Sequence, residues 1–370
     1  MAGKSKLLAL VLLMGLIVAA CGDGGGAEDT TTSATAGATT TEAEIDQTTT
    51  TEVATTTAPP DPVAITVLTD FLLFGYHSPL YAAEAEGFFD EVGLDVTIEG
   101  GRGSADGATK IAAGAAQFGV IDSISSLVAS IRGGELLQVA AYMPRHPGGL
   151  CYITERTTID SYADVEGLTI GAAEGDAYLV ALPGLMEAAG ADPEGYEFIP
   201  VEPANTTAAL VAGEIDLTPC GLPTFASRAA GAEAEGLTAD FFSFADNGFD
   251  VLGFSVVVNG GFAADNPGAV QGFVDAWSRG VVWSVQNPEE AVGHFLAANP
   301  DKTEEVELAN WTNVFPLLTS DLGYFLYDEA TVGRTVDFTN EAYEGVLDNS
   351  AFTNEYVDQL DPALIEGNLP

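Results

Sequence analysis

Residues 68–94 read LTDFLLFGYHSPLYAAEAEGFFDEVGL. The stretch is entered from an apolar run, Ile65-Thr66-Val67-Leu68, with the character of a buried strand. An aromatic loop follows from Phe71 to His77, and Pro79 suits the first turn of a helix. Leu80, Ala83 and Gly87 with Phe88 recur at helical spacing, and Gly93 closes the element. A second strand, Leu94 to Ile98, completes a strand–helix–strand unit. In open α/β sheets the loop after the first strand of such a unit lies at the carboxyl edge, where ligands bind.

The same rhythm continues along the chain. Gly100-Gly101-Arg102-Gly103-Ser104-Ala105-Asp106 opens a helix reaching Gly114, and Phe118 to Asp122 reads as a third strand. Asp122-Ser123 leads into a helix with Leu127, Val128 and Ile131, and Leu136 to Tyr142 forms a fourth strand. Strands alternating with helices imply a mainly parallel sheet. Cys151 to Thr154 crosses into a second lobe, where Glu174-Gly175-Asp176-Ala177-Tyr178 is a strand-to-helix loop. Phe244-Ala245-Asp246-Asn247-Gly248-Phe249 precedes a β-rich run, Val251 to Val258, that returns to the first lobe.

Taken together, Gly-Tyr-His-Ser-Pro-Leu-Tyr from Gly75, Glu86-Gly87-Phe88-Phe89 and Gly93-Leu94-Asp95-Val96 resemble the start of the thiamine-pyrimidine-precursor-binding family. That family is related to the nitrate-, sulfonate- and taurine-binding proteins of ABC importers. Residues 159–171, with Asp164-Val165-Glu166-Gly167 and Ile170-Gly171, are similar to its second-lobe entry, and Gly213-Glu214-Ile215-Asp216 to its Gly-x-Ile-Asp-Ala. Phe352 to Tyr356 resembles its terminal helix.

The resemblance implies a type II periplasmic-binding-protein fold, two α/β lobes with a ligand cleft between them. Lobe one would comprise 63–149 and 253–370, and lobe two 150–252. Ligand contacts are expected on strand-end loops: Phe71, Tyr76, His77, Ser104, Asp122 and Ser123 from lobe one, Glu174, Asp176 and Tyr178 from lobe two, and Asp246 and Phe249 on the return. Aromatics there would stack a flat ring and carboxylates would accept from its amino groups. His77 would either touch the ligand or orient the loop, and Phe74 reads as a core cap.

Two departures from the family bear on the ligand. Thr69-Asp70-Phe71 stands where relatives have Asn-Trp, and Pro219-Cys220-Gly221-Leu222 where some carry a Glu. A sulfonate or nitrate would call for cationic donors, which this reading finds only in Arg102 and Arg145. A neutral or weakly basic heterocycle is therefore expected, with a small anion as the alternative and a sensing or enzymatic surface lipoprotein as a third. Related synthases need a Lys for a Schiff base, a His four residues later and a Cys cluster. Aligned here, those fall on Ile121, Ser125 and Gly253-Phe254-Ser255-Val256, which can form neither imine nor imidazole donor. A binding protein is expected, not an enzyme, with no hydrolase signature.

The N-terminus belongs to neither lobe. Lys4 and Lys6, an apolar run from Leu7 to Val18 and then Ala19-Ala20-Cys21 describe an export signal over 1–20. The Cys after two Ala resembles a bacterial lipobox, so Cys21 would carry acyl chains and anchor the protein outside the cytoplasmic membrane. From 21 to 62 the Thr-, Ala- and Glu-rich chain, ending Pro59-Pro60-Asp61-Pro62, has too little apolar surface to fold and reads as a tether.

Beyond position 20, nine Lys and Arg face 55 Asp and Glu, a formal charge of about −46. Such a surface excludes nucleic acid and electrostatic docking on anionic lipid. Cys151 and Cys220 either pair or remain buried thiols. The three His are scattered without zinc spacing, so neither metal nor cofactor is expected. Expected partners are a small ligand, a permease and its ATPase, with the protein itself a monomer. Cys21→Ser should move the protein from the membrane to the soluble fraction on cell fractionation, and membrane retention would contradict the anchor.

Overall fold

The computed structural model describes residues 62–173 and 176–369. The expected signal, Cys21, nearly all of the tether and Glu174 lie outside the described residues. The described residues form one compact unit, built on two five-stranded sheets.

The first sheet draws β1 (Val63–Thr69), β2 (Leu94–Glu99), β3 (Phe118–Asp122) and β4 (Leu136–Ala141) from the early chain and β10 (Phe254–Asn259) from the return, in the order β2-β1-β3-β10-β4. The second comprises β5 (Gly148–Ile153), β6 (Thr169–Ala172), β7 (Glu197–Pro200), β8 (Leu217–Gly221) and β9 (Ala239–Ser243), in the order β7-β6-β8-β5-β9. Each sheet has the same logic. Four strands run parallel, and the strand that arrives from the other lobe, β10 or β5, inserts antiparallel.

Helices α1 (Ser78–Ala85), α2 (Phe88–Glu91), α3 (Ser104–Ala112) and α4 (Ser123–Ile131) flank the first sheet, and α5 (Ala177–Ala188), α6 (Thr206–Ala212) and α7 (Leu222–Glu233) the second. After β10 the chain continues as α8 (Gly260–Asp265), α9 (Pro267–Gln286), α10 (Pro288–Ala298), α11 (Glu304–Thr312) and α12 (Glu329–Tyr343). The continuous helix expected after Pro79 is two. Gly87 adopts φ 75°, which an L side chain resists, and the chain turns there before Phe88 and Phe89 enter the core.

Helix α9 explains why lobe one holds together. Val270, Phe273, Val274, Trp277 and Val281 recur every three or four residues and are all buried. Phe273 stacks on Phe118 of β3 at 4.1 Å between centroids, and Trp277 meets Tyr142 edge-on at 5.4 Å. Each such side chain contributes about 1.5–3 kcal/mol by leaving water. Lobe two has its own core around Leu150, Ile170, Leu182 and Leu217.

The register of the second sheet decides the cysteine question. Cys151 faces Thr218 and Cys220 faces Gly149, so the two thiols sit diagonally on adjacent strands, 5.8 Å apart at Cα, and form a disulfide. It closes a sequence separation of 69 residues and contributes about 2–4 kcal/mol by constraining the unfolded chain. The return strand starts at Phe254 rather than Val251, because residues before it are used in the crossing between lobes. The terminal helix suggested for 352–356 is absent. Phe352 bridges Gln138 on the edge strand β4, and Thr353 N–H donates to Gln138 C=O, which requires extended backbone.

Candidate functional site

The loop after β1 is organised by a buried carboxylate. Asp70 follows the last residue of β1 and is 7% exposed. The Tyr76 hydroxyl lies 2.9 Å from both of its oxygens, and His77 Nε2 is 2.8 Å from Oδ1. His77 Nδ1 accepts from Phe74 N–H, which leaves Nε2 as the donor to Asp70. Burying a carboxylate costs several kcal/mol, and hydrogen bonds to a charged group return about 1.5–3 each. Both donors therefore satisfy the buried Asp70 carboxyl where it lines a cavity. Burial, then the Asp70 charge, raises the Tyr76 pKa, so its hydroxyl stays a donor.

The next two strand ends supply further parts. Ser104 begins α3, and its Oγ accepts from Asp122 N–H at 3.1 Å. Asp122 caps α4, accepting from Ser125 N–H at 2.7 Å. Burial pushes its carboxyl up to about 6, against the pull of that bond. In lobe two Asp176 plays the matching role, capping α5 through Tyr178 N–H at 3.0 Å, and burial raises its pKa as well. Tyr178 meets His146 edge-on at 5.5 Å.

A cavity of about 340 Å³ lies among these groups. Of the residues expected from sequence, Phe71, Tyr76, Ser104, Asp122, Asp176 and Tyr178 line it. Four others do not. His77 stands behind the wall and holds Asp70. Ser123 turns away to share a hydrogen bond with Ser255. Asp246 pairs with Arg145 with both side chains largely exposed. Phe249 is packed into the lobe-two core against His146 and Phe338. Phe74, which stacks between Phe71 and Tyr76 beneath Lys302, also lies off the cavity.

The structure adds residues that sequence reading did not assign to the site. Asp70 and Phe254 line the lobe-one side, and Thr218, Cys220 and Arg228 the lobe-two side. The cation expected from Arg102 or Arg145 is supplied mainly elsewhere. Arg102 sits at the rim, its side chain 75% exposed and paired with Asp106, and Arg145 lies off the cavity. Arg228 on α7 is held by Thr206 Oγ1 at 2.8 Å and Thr207 Oγ1 at 3.2 Å, and burial lowers its pKa. One signal for it was available: an Arg within an Ala-rich helix begun by Leu222-Pro223, in a chain so poor in cations.

Residues 75–291, which include most of both walls, match the family model described as "NMT1/THI5 like". The chain belongs to the NMT1/THI5-like family. Within it, the chain is 24% identical over 298 residues to 4-amino-5-hydroxymethyl-2-methylpyrimidine phosphate synthase of Legionella pneumophila, covering 79% of this chain and 92% of that protein. It is 26% identical over 249 residues to the formylaminopyrimidine-binding protein of Halalkalibacterium halodurans, covering 66% and 74%. Family members named as enzymes and as binding proteins thus both align. The fold is also that of the periplasmic aliphatic sulphonate binding protein SsuA of Escherichia coli, with a TM-score of 0.63 at 14% identity over 76% of this chain and 87% of that one. Of the two residues expected from sequence at the synthase Lys and His positions, Ile121 is buried in β3 and Ser125 lies in α4.

The raised Asp122 pKa has a measurable consequence. A carboxyl that titrates near 6 when folded and near 3.8 when unfolded makes the folded state bind more protons between those values. Its contribution to stability therefore falls as pH rises through that window, by roughly 3 kcal/mol at most. His146, pushed down to about 3 by burial, acts oppositely, its contribution being lost as pH falls below the usual imidazole range. Comparing variants isolates the carboxyl. Asp122→Asn, which keeps a capping side chain, should gain stability relative to wild type between pH 4 and 7 in melts of the ligand-free protein. Parallel pH profiles would contradict the assignment.

Proposed function

We propose that this protein is the solute-binding component of an ABC importer, tethered outside the cytoplasmic membrane through Cys21, and that it captures a small flat amino-bearing heterocycle of the aminopyrimidine class without altering it chemically. The lobes, 63–149 with 253–370 and 150–252, would close on the ligand and present the closed form to a permease and its ATPase.

One observation carries the ligand class. Three buried or half-buried carboxylates, Asp70, Asp122 and Asp176, converge with the rings of Phe71, Tyr76 and Tyr178 on a cavity of about 340 Å³. That volume is at the small end of ligand pockets, about 300–1,000 Å³. The aromatic faces suit a ring, and the carboxylates suit its exocyclic amino groups and protonated ring nitrogen. The name of the Halalkalibacterium relative agrees with this class. Binding without chemistry is supported by Ile121 and Ser125, which cannot replace a Schiff-base Lys and a donor His.

A second reading, a small sulfonate, is favoured by Arg228 in the wall. Three carboxylates against one buried guanidinium make it the weaker choice, because each would repel an anion at low effective dielectric.

Titration calorimetry with 4-amino-5-hydroxymethyl-2-methylpyrimidine and with ethanesulfonate separates the two readings. The pyrimidine should bind wild type and be recovered unchanged, and Asp176→Asn should weaken it about tenfold or more, the worth of one hydrogen bond to a charged group. Binding of the sulfonate alone, or consumption of the pyrimidine, would overturn the proposal.

A further inference from the structure

Glu307 and Asn310 are buried polar side chains that the cavity does not use. Both lie on α11, 2% and 0% exposed and one turn apart, and neither lines the cavity. Burying such groups costs free energy unless each finds a partner, and their partners lie on two different elements. Glu307 Oε2 accepts from Gly75 N–H at 2.6 Å. Asn310 Nδ2 donates to Glu307 Oε2 at 3.2 Å and to Ser227 Oγ at 2.9 Å.

The first partner belongs to the loop that holds Asp70. Gly75 opens the turn Gly75–His77, whose Tyr76 and His77 side chains both bond to Asp70. Loop and helix touch through their backbones, since a Cβ on Gly75 would overlap the Glu307 carbonyl oxygen. Lys302 grips the same loop, its Nζ 4.1 Å from the centre of the Phe74 ring and 3.7 Å from Glu307 Oε1. The second partner, Ser227, lies on α7, which flanks the second sheet and lines the cavity with Pro223, Thr224 and Arg228. At the start of that helix Leu222 packs on the lobe-one core. Helix α7 therefore meets lobe one outside the cavity and apart from the chain crossings between the lobes.

The contact is built to part. Asn310 Oδ1 is buried without a hydrogen-bond partner, and Ser227 is only half-buried. A joint that stays shut gains more from apolar side chains than from an amide with one end unsatisfied. Separation lets water reach that oxygen, which offsets part of what the Asn310–Ser227 bond contributes.

We infer that α11 is a clasp between the lobes: Asn310 fastens it to Ser227 of α7 and Glu307 fastens it to the Asp70 loop, so that three residues outside the cavity set how long a ligand is held. They are positioning residues, acting only through the loop and the helix they hold. The inference rests on the reading above of a cleft that closes on its ligand.

Stopped-flow fluorescence with 4-amino-5-hydroxymethyl-2-methylpyrimidine and the full chain tests it. Ser227→Ala suits the Ala-rich α7 and removes only the acceptor. It should release the pyrimidine about three- to tenfold faster than wild type, the worth of one hydrogen bond, with association within about twofold. Ser227→Thr, which keeps the hydroxyl, should release it at the wild-type rate. Equal release from wild type and Ser227→Ala, or equally fast release from Ser227→Thr, would overturn the inference. If the pyrimidine does not bind wild type, the heterocycle reading fails and hydrogen exchange of the ligand-free protein decides the clasp. Faster exchange around Gly75 in Ser227→Ala than in wild type would then support it, and unchanged exchange would overturn it.

Discussion

The two crossings between lobes are pressed against one another, and the rest of the site depends on that contact. Gly253 N–H donates to Met143 C=O at 2.9 Å, and a Cβ on Gly253 would meet Pro147 Cδ at 2.7 Å and the Arg145 carbonyl oxygen at 2.8 Å. Any side chain would force the crossings apart. Gly253 C=O also accepts from Ser123 N–H, which ties the crossing to the start of α4 one residue beyond Asp122. Both sheets thereby direct strand ends into one cavity, and the Asp122 and Asp176 caps share it.

Within the cavity the carboxylates find different hydrogen-bond partners. Asp70 receives two side-chain donors from its own loop. Asp122 has chiefly the backbone of its helix to set against complete burial, so its carboxyl rises to about 6. A second set of contacts joins the walls at a distance. Asn310 on α11 donates to Ser227, next to Arg228 on α7, and to Glu307 Oε2, which also accepts from Gly75 N–H in the Asp70 loop.

The fold was largely legible because its signals are local. The strand and aromatic loop through Leu68 to His77, the helix set by Pro79 and the Asp122-Ser123 cap each declare themselves within a few residues. Three kinds of feature were not. Gly87 splitting a helix depends on how Phe88 and Phe89 find the core. The Phe352 segment is extended because a distant edge strand offers it a partner. The Cys151–Cys220 bond depends on a register between strands far apart in sequence. For the site, half the expected residues lie on the cavity because strand-end position predicts proximity. His77, Ser123, Asp246 and Phe249 share that position, yet their side chains turn elsewhere, and orientation is decided by packing. For Arg228 the sequence offers only a lone Arg in an Ala-rich helix, and which wall α7 forms is decided by the tertiary packing.

The central claim is that this cleft encloses an amino-bearing heterocycle and releases it unchanged. Native mass spectrometry of the protein purified gently from its source tests it most directly, since a cleft that closes on its ligand retains it. The account predicts one bound small molecule per chain, with the composition of a nitrogen ring bearing an amino group. Occupancy by an alkyl sulfonate or an inorganic anion would contradict it.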